Sequence, residues 1–121
     1  MYQVPEIARD IANSIVEATK KLGRDVVILA SSDMTHYEPH DVAYKKDHEV
    51  LDAIVKLRPD EVYDIVVNKN VSMCGVGPVL TLLYIATKLG CRGGELLKYA
   101  TSGDITGDLS AVVGYAAVRI F

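Results

Sequence analysis

The residues able to do chemistry fall in two short stretches. Ser31-Ser32-Asp33-Met34-Thr35-His36-Tyr37-Glu38-Pro39-His40 is polar and holds two of the three histidines, and Ser72-Met73-Cys74-Gly75-Val76-Gly77-Pro78 holds one of the two cysteines. The spacing Asp33-x-x-His36 lets both side chains converge from one turn. An imidazole there can serve as acid or base because it titrates near neutrality, and a neighbouring carboxylate would orient it and raise its basicity. The plainer alternative is that Asp33 caps a turn and His36 bonds a backbone carbonyl. Cys74 stands just before an expected helix N-terminus, where free N–H groups and the helix dipole favour an anionic sulfur, the form that ligates soft or borderline metals. Gly75 and Gly77 would let the backbone come close to a bound ion. On spacing alone, a buried small hydrophobe is the commoner fate of such a cysteine.

The other candidates are weaker. His40 reads as solvated ahead of Asp41, His48 as a surface residue in a charged helical stretch, and Cys91 as structural. Asp104 and Asp108 resemble a carboxylate pair at a pocket edge, but in a Gly-rich connector they read better as turn residues. The chain has no Walker loop, dinucleotide fingerprint or serine-hydrolase elbow, so no nucleotide cofactor is expected.

The elements that must position these residues read as α/β. Val4 to Leu22 carries a helical pattern with Pro5 in the first turn, Ile7, Ile11 and Ile15 recurring on one face, and Gly23 as the stop. Asp25 to Ser32 is a continuous β-branched run, expected as a buried strand parallel to its neighbours that delivers Asp33 and His36 at its carboxyl end, where α/β folds bind ligands. Helices are expected from Val42 to Leu57 with Asp41 as cap, from Pro59 until Asn68-Lys69-Asn70 ends it, and from Pro78 towards Gly90, the last apolar nearly all round and so buried. Strands are expected at Glu95 to Ala100 and Ala111 to Ile120; a turn-rich connector joins them, and its eight-residue length leaves open whether they pair as a hairpin.

Composition sets the remaining bounds. The chain has 121 residues, 50% hydrophobic and 24% charged, with a formal net charge of −3. That suits one globular domain over residues 1–121. The sequence pI of 5.5 argues against nucleic acid or an anionic membrane as partner. No run approaches the roughly 20 apolar residues a membrane helix needs, and the first helix is interrupted by Glu6, Arg9 and Asp10, unlike a signal peptide. Two cysteines are too few for a disulfide framework, so a reducing, cytoplasmic setting is expected.

Four motifs in order then resemble one family. Ser31-Ser-Asp-Met-Thr-His-Tyr37, Ser72-Met-Cys-Gly-Val-Gly-Pro78, Tyr99-Ala-Thr-Ser-Gly-Asp104 and Val113-Gly-Tyr-Ala116 occur in the order and spacing of archaeal Memo-like proteins, and the match covers nearly the whole chain. The resemblance implies a three-layer-type α/β sheet with flanking helices, the C-terminal half of a fold similar to class III extradiol dioxygenases. It also implies a pocket in which Cys74 and His36 are metal ligands and His36 and Asp33 catalytic residues, with iron or copper as the metal and zinc as a substitute. The family's two further histidines belong to an N-terminal half that His40 and His48 do not match. The partner expected is therefore a complementary N-terminal half chain or a second copy. The ring-cleavage reaction is not implied, because a thiolate replaces the third, carboxylate-type ligand and is itself oxidisable. The family's link to phosphotyrosine signalling in animals implies an alternative, a non-catalytic module binding a small ligand or phosphopeptide in the same pocket; Tyr37 and Arg92 are expected contributors to it from their exposure alone.

Overall fold

A computed structural model describes residues 5–121 of the chain. It is a mixed α/β fold. Within the described residues the order is α1 (Pro5–Leu22), β1 (His36–Glu38), α2 (His40–Val55), α3 (Pro59–Asn68), α4 (Val76–Lys88), β2 (Gly94–Thr101), α5 (Gly103–Thr106) and β3 (Val112–Ile120). The expected start of the first helix at Val4 lies outside the described residues. Gly23 ends α1 at a positive φ of 59°, as a C-terminal glycine does. Asp41 is not the cap of α2. That helix begins two residues earlier than expected, at His40 behind Pro39, and leaves Asp41 in its first turn, where a carboxylate suits the dipole.

The three strands form one sheet in the order β1-β3-β2, antiparallel throughout. β2 and β3 pair from Gly94↔Ile120 to Thr101↔Gly114, so the two strands do form a hairpin. The turn-rich connector between them holds the single helical turn α5. The register slips by one residue between Leu96 and Lys98. This bulge changes which side chains face the helices: Leu96 points in before it and Tyr99 after it, while Leu97 is left 58% exposed. Re-aiming a side chain is what an extra strand residue does.

α2 lies against the sheet, α3 against α2, and α4 is sandwiched between α3 and α1. The core is built on Val50, Val62, Leu80, Leu83 and Val112, all fully buried. α4 is the central buried helix its composition implies. Arg9 of α1 lies over the Tyr84 ring, 5.0 Å from its centre, and the Tyr84 hydroxyl donates to Asp60 at 2.7 Å, so one polar cluster joins α1, α3 and α4.

One expected element is absent. Residues 24–35 form no strand. The side chains still alternate: Val27 and Leu29 are 94% and 89% exposed, while Ile28 and Ala30 are half-buried. The reason is the lack of a neighbour. β3 gives one edge to β2 and spends the other on β1 only at Val112 and Val113. A cavity of about 470 Å³ separates residues 26–30 from Val118–Ile120 and the end of α4. A continuous apolar run suits a strand covered on both faces; here the outer face is bare. The expectation of parallel pairing is corrected with it, since every ladder among the described residues is antiparallel.

Candidate functional site

The segment carrying Asp33 and His36 is held where the broken strand ends. The Met34 N–H donates to the Gly114 carbonyl and the Gly114 N–H donates to the Thr35 carbonyl, both at 2.9 Å. His36 then opens β1 opposite Val113. Tyr37 follows in the left-handed region at φ 59° and is 79% exposed. A bulky residue rarely adopts that conformation; here it is the residue at which the β1–β3 register slips.

The second stretch docks against the first through backbone and hydroxyl groups. The His36 N–H donates to Ser72 Oγ at 2.7 Å, and His36 Nδ1 lies 2.6 Å from the Ser72 carbonyl. A carbonyl only accepts, so Nδ1 carries the proton and Nε2 keeps its lone pair in the neutral ring. That Nε2 lies 3.5 Å from Asp33 Oδ2. The Asp33 N–H donates to Cys74 Sγ at 3.2 Å. Ser32 Oγ accepts from the Gly75 N–H at 2.8 Å. The fit leaves no room for a side chain at Gly75: a Cβ there would lie 2.6 Å from the Ser31 carbonyl oxygen and 2.7 Å from Ser32 Cβ.

One donor atom each from Asp33, His36 and Cys74 therefore lies within 4.8 Å of the other two. The cluster is open to solvent: the Asp33 side chain is 48% and that of His36 22% accessible, and Cys74 is exposed. Ser32, Met34 and Met73 also contribute to a mostly apolar cavity of about 100 Å³ lined by residues of α2, α4 and β3.

The family model described as Memo-like protein matches residues 1–119. The chain belongs to the Memo-like family. Similar relatives include the MEMO1 family proteins of Ignicoccus hospitalis, 50% identical over 97% of this chain and 41% of that protein, and of Methanocaldococcus jannaschii, 50% identical over 99% of this chain and 42% of that one. Another, from Methanopyrus kandleri, is 50% identical over 93% of this chain. The chain thus spans about two-fifths of the length of the curated relatives it matches.

The three residues singled out in this Memo-like chain come together, and the other candidates do not join them. His40 is half-buried, and its Nδ1 lies 2.9 Å from Thr101 Oγ1. His48 stacks on Tyr44 with ring centres 3.9 Å apart and lies edge-on to Tyr99. Asp104 accepts from the Thr101 N–H, and Asp108 from the N–H and hydroxyl of Ser110, so both are turn residues. Tyr37 lies by the site, but Arg92 bonds Phe121 beyond the Gly94↔Ile120 end of the ladder, at the opposite end of the sheet. Among the described residues no helix is long and apolar enough to cross a membrane.

Sequence reasoning missed the residues that hold the site: Ser32, Ser72 and, above all, Asp47. Asp47 is fully buried. Its Oδ1 accepts from the Thr35 N–H at 3.0 Å and the Thr35 hydroxyl at 2.6 Å, and its Oδ2 from the Tyr99 hydroxyl at 2.6 Å. A signal was present, because Asp47 falls on the stripe Ala43, Val50, Leu51, Ile54 that α2 buries. A carboxylate on a buried stripe must have partners.

The same contact shapes Tyr99. Burial first, then its hydrogen bond to Asp47 and the charge of that carboxylate, push the phenol far above the usual tyrosine range. The folded chain thus keeps this proton where the unfolded chain releases it, so Tyr99 contributes stability that is lost as pH rises above about 10. Melting temperatures measured from pH 8 to 11 are expected to fall less steeply in Tyr99→Phe than in the wild type. Parallel curves would contradict the linkage.

Proposed function

We propose that this Memo-like chain contributes Asp33, His36 and Cys74 to a metal centre for redox-type chemistry on a small molecule or oxygen. The observation that carries the reading is the convergence of a carboxylate, an imidazole lone pair and a sulfur within 4.8 Å, with the imidazole's other nitrogen committed to the Ser72 carbonyl. The Asp33 carboxylate faces the imidazole, and among the described residues no lysine or arginine pairs with it. The donor set fits a metal. Sulfur with imidazole favours iron, copper(I) or zinc over magnesium or calcium, and a carbonyl-oriented histidine is the usual arrangement behind a metal ligand. Cys74 and His36 would hold the ion. Asp33 would be a third ligand or would accept a proton beside it. Bound iron or copper would supply electron transfer, and zinc would occupy the same donors without it.

The partner reading places a complementary polypeptide along residues 26–30. Val27 and Leu29 are almost wholly exposed, and among the described residues 24–31 make no backbone ladder bond. An exposed apolar segment with no ladder bonds of its own is a place where another strand can pair. The occupant favoured is the part of the relatives' length that this chain does not span, over a second copy of the chain itself.

Two experiments test these readings. Metal content measured by mass spectrometry on reduced, anaerobic protein is expected to be near-stoichiometric in the wild type and lost in Cys74→Ser, with the circular dichroism unchanged. Equal content in both, or none in the wild type after incubation with iron(II), copper(I) or zinc(II), contradicts the metal centre. For the partner, the remaining part of the Methanocaldococcus jannaschii relative, expressed separately, is expected to sediment with this chain as a one-to-one complex that Leu29→Lys disrupts. A complex indifferent to Leu29→Lys, or self-association alone, would overturn the assignment.

A further inference from the structure

We infer that Asp47 is a positioning residue for the candidate site, acting on His36 through Thr35. The inference rests on the site reading above, but its geometry stands by itself. Thr35 is fully buried between Met34 and His36. Its N–H and its hydroxyl both donate to Asp47 Oδ1, and its carbonyl accepts from Gly114. Every polar group of Thr35 is thus held, one residue before the imidazole. Tyr99 fixes the other carboxylate oxygen from the opposite side. α2 supplies the carboxylate and β2 the phenol. β3 supplies Gly114, where a Cβ would stand 2.0 Å from Asp47 Oδ2. A glycine is required there because the carboxylate occupies the side-chain position.

The arrangement is a poor choice for stability alone. Taking a carboxylate out of water is costly, and hydrogen bonds repay that only in part. Among the described residues no lysine, arginine or histidine pairs with Asp47. An apolar residue on this stripe would suit the core of α2 at least as well. What the carboxylate adds is direction: two bonds to one residue fix the backbone at Thr35. The His36 N–H and Nδ1 can then both meet Ser72, which leaves Nε2 facing Asp33. Groups that orient a metal-binding histidine are worth about 10- to 100-fold in metal affinity.

The test uses Thr35, whose hydroxyl can be removed without changing its shape. Ring-nitrogen NMR of His36, recorded metal-free above the imidazole titration range, reads which nitrogen carries the proton. The wild type is expected to hold the Nδ1–H form. Thr35→Val and Asp47→Asn are expected to shift His36 towards a mixture rich in Nε2–H, and Thr35→Ser, which keeps the hydroxyl, to restore the wild-type form. Cobalt(II) affinity is expected to fall about 10- to 100-fold in Thr35→Val and to stay within a few-fold of wild type in Thr35→Ser. A folded Thr35→Val with the wild-type His36 tautomer overturns the positioning role, whether or not metal binds. The expected tautomer pattern with no cobalt bound by the wild type sinks the metal reading and leaves the positioning role standing. Should Asp47→Asn fail to fold, the two Thr35 variants decide the matter.

Discussion

The site depends on one short piece of backbone being held from two sides. Met34 and Thr35 are bonded to Gly114 of β3 along one edge and to Asp47 of α2 from within the core. Everything chemical follows from that clamp. It sets where Asp33 points, which face of His36 meets Ser72, and where the sulfur of Cys74 meets the Asp33 N–H. The clamp works because it is buried and fully bonded. In a medium of low dielectric each of these hydrogen bonds is strong, and an unmade one would be costly. The Asp33–His36–Cys74 cluster is the opposite case. It is open to water and held by its supports rather than by its own contacts.

Much of this was legible in the sequence. The five helical and strand patterns from Val42 onward lie where periodicity put them, because each has a neighbour within the chain against which its apolar face packs. The convergence of Asp33, His36 and Cys74 was legible through the four motifs. What could not be read was the support behind them. Ser72 acts through its carbonyl and hydroxyl, and a serine in a loop carries no pattern. The bulge at Leu97, which turns Tyr99 towards Asp47, leaves no signature in composition. Asp47 was readable in principle as a charge on the buried stripe of α2, but its partners come from residues 12 and 52 positions away.

The run from Asp25 to Ser32 failed for a different reason. Its residues have the composition of a strand covered on both faces, and that composition is a statement about neighbours. Where the neighbour is not in the chain, alternation survives in Val27, Ile28, Leu29 and Ala30 but the ladder does not form. The chain spans about two-fifths of its relatives' length, and the exposed edge is where the described fold is least self-sufficient. The site lies immediately after that edge.

The central claim is that sulfur and imidazole from two separate stretches of this chain meet at one ion. X-ray absorption at the zinc edge of the zinc-loaded chain tests it most directly. The prediction is one sulfur neighbour at about 2.3 Å, as zinc–thiolate bonds have, together with an imidazole pattern that disappears in His36→Ala. A first shell of oxygen and nitrogen alone, or a sulfur neighbour that persists in Cys74→Ser, would contradict it.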